Sequence, residues 1–246
     1  MVKKKGNLFH ITSDRTEYQA KNVLIATGPF QKPRIPAFAN DLSKDVLQLH
    51  SSDYRNPSQL IEGKVLVVGG GNSGAQITEE IAREREVYLS TSCRFSFMPL
   101  SMGNRIIFWC FDKLGILKAS STSYIGRKIQ KRGDPIFGFE LKKAIQEGKV
   151  IIKGRTLNCN GNIVTFNDDS LHNVHNVIWA TGFTSDYSWL DVTGILGENG
   201  KPIHNRGVTN VPGLYFLGLP WQYRRGSALL QGVGNDANYL MEQLKK

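Results

Sequence analysis

The residues best suited to chemistry lie in one short run, Gly69-Gly70-Gly71-Asn72-Ser73-Gly74. The run follows an apolar, β-branched segment, Lys64-Val65-Leu66-Val67-Val68, which is typical of a parallel strand buried on both faces. Apolar residues then recur at helical spacing over residues 73 to about 85. A strand, a glycine turn and a helix in this order predict a site for the phosphates of a dinucleotide.

Three glycines of the run have separate physical tasks. Gly69 permits the tight turn, Gly71 lets the backbone approach a pyrophosphate without a Cβ clash, and Gly74 lets the helix pack closely on the strand. The N-terminus of the helix then holds the anion.

The end of the next strand bears on which nucleotide is bound. We predict that strand at residues 86–91, and in an NAD site it ends in an acid that accepts the ribose 2′-hydroxyl. Ser90, Thr91 and Ser92 stand there instead, and Arg94 follows. A guanidinium without a neighbouring carboxylate favours a 2′-phosphate, and hence NADP over NAD. An ordinary solvated arginine is the alternative.

Two Ala-Thr-Gly tripeptides end two further apolar segments, at residues 26–28 and 180–182. Each follows a β-patterned stretch of similar length that begins at a Gly-Asn pair, Gly6-Asn7 in one and Gly161-Asn162 in the other. We predict two small antiparallel meanders, each leading into a buried strand. Turn residues at Ser13-Asp14 and at Asn167-Asp168-Asp169 support both meanders.

Composition bounds the partners of the chain. It has 246 residues and a net charge of +10, which can indicate nucleic-acid binding. The basic runs argue otherwise, because Lys3-Lys4-Lys5 lies at the N-terminus and residues 127–132 lack interleaved aromatics. We expect a solvated surface and no nucleic-acid partner.

The cysteines and apolar stretches bound the compartment. Cys93, Cys110 and Cys159 are widely separated, so we predict neither a disulfide framework nor a C-x-x-C redox pair. The apolar residues 106–111 are too few to cross a bilayer, and no signal peptide opens the chain. We expect a cytoplasmic protein without a transmembrane segment or a metal site.

Taken together, several segments make the chain similar to the flavin-containing monooxygenases, closest to their bacterial, NADP-dependent branch that is related to the plant auxin-forming enzymes. The resemblance covers essentially the whole chain. The segments that carry it are Ala26-Thr27-Gly28-Pro29-Phe30 with Pro33 and Pro36, His50-Ser51-Ser52-Asp53-Tyr54-Arg55, residues 69–76, Trp179-Ala180-Thr181-Gly182-Phe183 and Gly213-Leu214-Tyr215-Phe216-Leu217-Gly218. One departure is that Lys44 and Val46 stand where the family's identifying stretch has Phe and Gly.

The resemblance implies an α/β fold with two dinucleotide-binding, Rossmann-like domains that carry small β-meander insertions. Residues 1–58 are then a partial FAD-binding domain, and residues 184–246 are its return segment. Residues 59–183 are the NADP-binding domain, with a helical insertion at about residues 100–140. The first domain is incomplete, because no strand, glycine turn and helix for the ADP of FAD precede its meander.

The resemblance also implies the reaction. NADPH reduces FAD, and the reduced flavin reacts with dioxygen to form a C4a-hydroperoxide that gives one oxygen atom to a small organic substrate. The flavin carries this chemistry, so no catalytic side chain is assigned, and the protein positions the nicotinamide and excludes water. The substrate is not identified.

By the same resemblance, a set of residues contacts FAD and NADP. The residues expected at the NADP site are Gly69, Gly71, Asn72, Ser73, Gly74, Gln76 and Arg94. Near the strand ends we expect Thr27, Gly28, Thr181 and Gly182, whose alternative is a plain strand-to-turn glycine motif. His50 is expected at the linker between the domains, and its alternative is a histidine that satisfies backbone groups. Gln231 and Gly232 are expected in the flavin-facing turn and helix.

Three functions stay open at this point. The chain is an NADP-dependent flavin monooxygenase, a flavin-linked reductase without oxygen transfer, or an inactive fragment. A truncated form would need its FAD-binding part from a separately encoded chain or from a homo-oligomer.

Overall fold

The computed structural model describes residues 1–245 and shows an α/β protein. The strands, in chain order, are β1 (Val2–Lys5), β2 (Leu8–Thr12), β3 (Glu17–Ala20), β4 (Val23–Ile25), β5 (Lys32–Pro33), β6 (Leu47–His50), β7 (Lys64–Val68), β8 (Val87–Ser90), β9 (Phe97–Met98), β10 (Ser101–Met102), β11 (Arg105–Ile106), β12 (Ile136–Phe137), β13 (Val150–Lys153), β14 (Thr156–Asn160), β15 (Ile163–Phe166), β16 (Ser170–Leu171), β17 (Val174–Trp179), β18 (Phe183–Thr184), β19 (Leu190–Asp191) and β20 (Leu214–Phe216). The α helices are α1 (Asn72–Ile81), α2 (Ile107–Lys113), α3 (Tyr124–Arg132), α4 (Glu140–Gln146) and α5 (Leu230–Leu244).

The chain divides into two compact units. Unit 1 contains Met1–Lys32, Phe108–Arg132 and the residues from Thr184 onward, and unit 2 contains Pro33–Ile107 and Gly133–Phe183. The division between Phe183 and Thr184 coincides with an expected boundary, whereas residues 33–58 lie in unit 2 and most of the insertion lies in unit 1. Which cofactor each unit holds stays a prediction.

Unit 2 is built on a five-stranded parallel sheet in the order β13-β8-β7-β17-β6. Strand β7 is buried on both faces, as its unbroken apolar sequence predicts. Val65 and Val67 face a core that includes helices α1 and α4, whereas Leu66 and Val68 face the meander β14-β15-β16. The doubly covered sheet confirms the predicted α/β class.

Helix α1 and strand β8 are shorter than expected. The helix ends at Ile81 instead of near residue 85, because the N–H groups of Arg83 and Glu84 bond carbonyls three residues back and tighten the last turn. Strand β8 begins and ends one residue inside the predicted range of residues 86–91. The order strand, glycine turn, helix, strand is confirmed.

Unit 1 contains a four-stranded sheet, β19-β1-β2-β3, and the parallel pair β20-β4. Its core includes Phe9, Ile195, Leu214 and Phe216, all fully buried. Helix α5, whose buried residues include Gly232, Asp236 and Leu240, closes the described chain.

The two predicted meanders are present, as β1-β2-β3 in unit 1 and β14-β15-β16 in unit 2. Their first turns match closely, since Gly6 and Gly161 both have φ +58°. The strand after the first meander is not buried as expected. Leu24 of β4 is 42% exposed, because among the described residues β4 pairs only with β20.

The expected helical insertion is only partly helical. Helices α2 and α3 are present, but the short strands β10, β11 and β12 lie in the same stretch. No helix formed by residues 1–245 is both long and apolar enough to cross a membrane.

Replacing Ile178 tests whether the parallel sheet carries the stability of unit 2. This residue is fully buried in β17, so Ile178→Ala should lower the free energy of unfolding by about 2–5 kcal/mol through lost burial and a new cavity. Urea unfolding followed by circular dichroism measures the change. Ile152→Ala, at a half-exposed position of the edge strand β13, should cost far less, and equal costs would contradict this account.

Candidate dinucleotide site

Gly69 and Gly74 bring strand β7 and helix α1 into close contact. Gly69 has φ +121°, which L side chains rarely adopt, and a Cβ there would lie 2.2 Å from the carbonyl oxygen of Ala180. A Cβ on Gly74 would lie 1.8 Å from the carbonyl oxygen of Gly69. Both positions therefore exclude a side chain, as the turn and the packing require. Their contact with a cofactor stays a prediction.

The N-terminus of helix α1 has the character of an anion site. Its N-cap is Gly71, no side chain caps the helix, and no acidic residue lies in its first turn. The first N–H groups of a helix have no partner within it, and the helix dipole adds positive potential there. A Cβ on Gly71 would meet no atom within 4 Å. The turn thus offers open space beside backbone donors.

Ser73 and Gln76 lie three residues apart on α1, and both are exposed. Residues at this spacing share one face of a helix. Their hydroxyl and amide are therefore accessible for hydrogen bonds to a ligand, and their contact with NADP stays a prediction.

Asn72 is placed differently from its neighbours, because its side chain is already bonded within the protein. Its Nδ2 donates to the carbonyl oxygen of Pro135 at 2.8 Å, and its Oδ1 accepts from the N–H of Phe137 at 3.1 Å. The Asn72 side chain therefore fixes residues 135–137. The group that Asn72 can offer to a ligand is its backbone N–H, at the start of α1.

The end of strand β8 separates the residues expected there into two groups. Ser90 is 2% exposed, and its hydroxyl bonds the carbonyl oxygen of Gly154 at 2.8 Å and Oγ1 of Thr156 at 2.7 Å. The Thr91 hydroxyl bonds the backbone of Cys93. Ser90 and Thr91 thus have structural partners.

The other two residues of this loop, Ser92 and Arg94, are exposed. Among residues 1–245, no hydrogen bond or ion pair holds the Arg94 guanidinium. A guanidinium in this position is available to an anionic group.

His50 joins the ends of two strands of unit 2. It is 2% exposed at the end of β6, and its Nε2 lies 2.9 Å from the carbonyl oxygen of Gly182, just after β17. Its Nδ1 accepts the N–H of Ser52 at 3.1 Å. Since a carbonyl only accepts, Nε2 carries the proton and the ring is neutral. Both ring nitrogens bond backbone groups, which agrees with the alternative that this histidine satisfies the backbone.

The second Ala-Thr-Gly end is held by the segment after β5. The Thr181 hydroxyl donates to the carbonyl oxygen of Arg34, and the Arg34 N–H donates to the carbonyl oxygen of Gly182 at 3.0 Å. Gly182 has φ +80°, so the chain turns here in a way that favours glycine.

The first Ala-Thr-Gly end, in unit 1, is held by a residue that the sequence does not single out. Gln31 donates from Nε2 to Oγ1 of Thr27 at 3.1 Å and to the carbonyl oxygen of Gly28 at 2.8 Å. Its Oε1 accepts the N–H of Asp186 at 2.9 Å. Gly28 has φ +65°, so both tripeptides end in a left-handed glycine.

Gln231 and Gly232 begin helix α5. Gln231 is exposed, whereas Gly232 is buried, and a Cβ on Gly232 would lie 2.2 Å from the carbonyl oxygen of Gly226. Gly232 therefore permits close packing of the preceding turn. Gln231 stays accessible to a ligand.

Unit 1 also contains a buried ionic cluster, formed by Asp236, Arg206 and Arg224, that the sequence does not predict. Asp236 is fully buried on α5, and its Oδ1 lies 3.2 Å from Nε of Arg206 and 3.9 Å from Nη2 of Arg224. The Arg206 guanidinium also stacks on Tyr223 and Tyr239, 4.2 and 4.1 Å from the ring centres. A lone acid within a polar helix gives no sequence signal for such a contact.

Thiol chemistry and metal binding have little support among residues 1–245. Cys93, Cys110 and Cys159 are all free, and burial raises the pKa of the Cys159 thiol to about 11, so that it stays protonated. No group of His, Cys, Asp or Glu in the described chain is arranged to hold a metal ion.

Comparison with known proteins decides the family. A family model described as pyridine nucleotide-disulphide oxidoreductase matches residues 1–95. The uncharacterized oxidoreductase CzcO of Bacillus subtilis is 54% identical over 243 residues, which cover 99% of this chain and 70% of that protein. The chain belongs to the CzcO oxidoreductases.

The chain is also similar to flavin monooxygenases, in line with the resemblance noted from the sequence. The indole-3-pyruvate monooxygenase YUCCA4 of Oryza sativa subsp. japonica is 28% identical to this CzcO-type chain, over 93% of the chain and 57% of the plant protein. The solved flavin-containing monooxygenase of Stenotrophomonas maltophilia has the same fold, with a TM-score of 0.73 at 22% identity. That comparison covers 99% of this chain and 68% of the other.

The tautomer of His50 provides a direct test of the strand junction in this CzcO-type oxidoreductase. Because Nε2 faces a carbonyl and Nδ1 faces an N–H, we expect the tautomer that carries its proton on Nε2. Long-range ¹H–¹⁵N correlation spectra of the histidine rings distinguish the tautomers. A ring protonated at Nδ1, or at both nitrogens, would contradict the geometry.

Proposed function

We propose that this oxidoreductase is an NADPH-dependent flavin monooxygenase. It consumes NADPH, a proton and dioxygen, transfers one oxygen atom to a small organic substrate, and releases the other as water. The observation that carries the proposal is the uncapped N-terminus of α1 beside the open face of Gly71.

The residues at this terminus fit the pyrophosphate of a dinucleotide. The backbone N–H groups at residues 72–74 supply donors, and the glycine at residue 71 leaves space that a Cβ would fill. We assign the pyrophosphate to Gly71, Asn72, Ser73 and Gly74, and hydrogen bonds from the exposed side chains to Ser73 and Gln76. The tight crossing of Gly69 and Gly74 sets the position of these donors.

The loop after β8 fits the 2′-phosphate of NADP. Ser90 is buried and fully bonded, so it cannot accept the 2′-hydroxyl of a ribose as the acid of an NAD site does. The exposed Arg94 supplies a positive charge, and Ser92 supplies a hydroxyl. We assign the 2′-phosphate to these two residues.

Unit 1 contains the features that suit FAD. Helix α5 begins without a side-chain cap or an acid in its first turn, and Gln231 is exposed there. Gln31 holds Thr27 and Gly28 in place at the end of β4. We assign FAD to Thr27, Gly28, Gln231 and Gly232, and we assign strand-end positions near the cofactors to Thr181 and Gly182, which His50 orients.

FAD, when bound, supplies the redox and oxygen chemistry. The residues of this chain bind and orient the nucleotides through backbone N–H groups, hydroxyls and the Arg94 guanidinium. No side chain is required as a nucleophile, and the free, separated cysteines do not form a redox pair. Their unpaired state also supports the cytoplasm as the compartment that we propose.

A reductase without oxygen transfer is the second candidate, favoured by the family model that matches residues 1–95. Product stoichiometry separates the two. The purified enzyme with added FAD should couple NADPH oxidation to formation of an oxygenated product from a panel of amines, sulfides and ketones. NADPH oxidation that yields only hydrogen peroxide, with every substrate, would favour the reductase. A folded protein that takes up neither cofactor would favour the inactive form.

Substitution at Gly71 tests the pyrophosphate assignment. Gly71→Ala should fold normally, because the new methyl meets no protein atom and φ is −78°. It should weaken NADPH binding at least about tenfold, equivalent to about 1.4 kcal/mol, by filling the phosphate space. Isothermal titration calorimetry measures the affinity, and Gly197→Ala, where an added Cβ makes only ordinary contacts, is the control.

Gly74→Ala should behave differently, since its Cβ would clash with the carbonyl oxygen of Gly69 at 1.8 Å. It should unfold at a lower temperature than wild type. The assignment fails if Gly71→Ala binds NADPH as tightly as wild type does.

Substitution at Arg94 tests the choice of nucleotide. Arg94→Ala removes a charged hydrogen-bond donor worth about 1.5–3 kcal/mol, so NADPH affinity should fall about 10–100-fold. NADH affinity should change little, because NADH has no 2′-phosphate. Titration of both nucleotides into wild type, Arg94→Ala and the exposed control Arg132→Ala gives the comparison. Equal losses for NADPH and NADH would place the 2′-phosphate elsewhere.

A further inference from the structure

Two short strands form the base of the insertion in unit 2. We call β9 (Phe97–Met98) and β12 (Ile136–Phe137) the neck, because the chain between them leads out to residues 108–132 and returns. They pair in parallel, and the N–H groups of Ile136 and Gly138 bond the carbonyls of Ser96 and Met98 at 2.8 and 2.9 Å. The neck thus pairs the two chain segments of unit 2 that flank the insertion in sequence.

The neck is short and is bounded by bends. Gly133 and Gly138 have φ +71° and +96°, a conformation that favours glycine. Two residues on each strand provide few ladder hydrogen bonds, so contacts from outside the pair matter for its order. The Asn72 side chain provides two of them.

The side-chain amide of Asn72 makes hydrogen bonds at β12 through both its nitrogen and its oxygen. Nδ2 donates to the Pro135 carbonyl oxygen and Oδ1 accepts the Phe137 N–H, at 2.8 and 3.1 Å. The Phe137 N–H lies between the two N–H groups that β9 binds, so Asn72 holds the side of β12 that faces away from β9. A single side chain therefore spans β12 from the residue before the strand, Pro135, to its last residue, Phe137.

The same residue begins helix α1, whose terminus we assign to phosphate. A ligand that fixes the Asn72 backbone N–H also fixes the origin of its side chain. The other strand of the neck begins three residues after Arg94, and Phe95 between them packs close to Gly70. Both strands of the neck are thus connected to residues that we assign to the nucleotide.

We propose that Asn72 is a positioning residue that couples NADP binding to the order of the neck. The proposal rests on the proposed function, because it needs NADP at the terminus of α1.

Hydrogen–deuterium exchange of the full chain, read by mass spectrometry with and without NADP⁺, tests the coupling. In wild type, NADP⁺ should slow exchange at residues 136–138 at least about fivefold, the lower end of typical coupling between sites. In Asn72→Ala the slowing should fall below about twofold. Because coupling is reciprocal, the variant should also bind NADP⁺ about fivefold more weakly than wild type does. Calorimetry gives that affinity, and thermal unfolding shows whether the variant is folded.

Asn162→Ala is the matched control, because it removes an exposed amide hydrogen bond to Asn173 elsewhere in unit 2. It should keep the wild-type response. The wild-type measurement decides the matter even if Asn72→Ala does not fold, since binding of NADP⁺ with unchanged exchange at residues 136–138 overturns the coupling alone. A wild-type chain that binds no NADP⁺ overturns the proposed function and the coupling together.

Discussion

The crossing of Gly69 and Gly74 is the constraint on which the candidate site depends. A Cβ on Gly74 would lie 1.8 Å from the Gly69 carbonyl oxygen, and a Cβ on Gly69 would lie 2.2 Å from the Ala180 carbonyl oxygen. Strand β7, helix α1 and the end of β17 therefore meet at backbone distance. This contact directs the first N–H groups of α1 away from the sheet, at the carboxyl end of its strands, which is where α/β proteins bind ligands.

The surrounding polar contacts preserve that arrangement. His50 ties the end of β6 to Gly182, and Ser90 ties the end of β8 to Gly154 and Thr156. Both side chains are buried and fully bonded, so each holds strand ends together and offers no free group to a ligand. We assign binding to groups on the same edge, namely the backbone N–H groups at the start of α1 and the exposed side chains of Ser73 and Arg94.

Local patterns sufficed for the strand β7, the glycine turn, the helix and both meanders, since each depends on residues near one another in sequence. The roles of Ser90, Asn72 and His50 depend on partners 63 to 132 residues away, so no local pattern reveals them. Asp236 likewise depends on Arg206, which lies 30 residues away. Gln31 bonds its near neighbours Thr27 and Gly28, but a lone glutamine after a strand has no distinctive local pattern. The length of α1 depends on how its last turn tightens, and the exposure of Leu24 depends on which strand pairs with β4. The spacing of apolar residues predicts neither the tightening nor the pairing.

We propose that the terminus of α1 binds the phosphates of NADP, and the chemical shifts of its backbone amides provide a direct test. NADP⁺ is titrated into the ¹⁵N-labelled protein while ¹H–¹⁵N correlation spectra are recorded. We expect saturable changes that are largest at Gly71, Asn72, Ser73 and Gly74, where the backbone N–H groups would meet the phosphates. Saturable binding that leaves these four amides unchanged would contradict it.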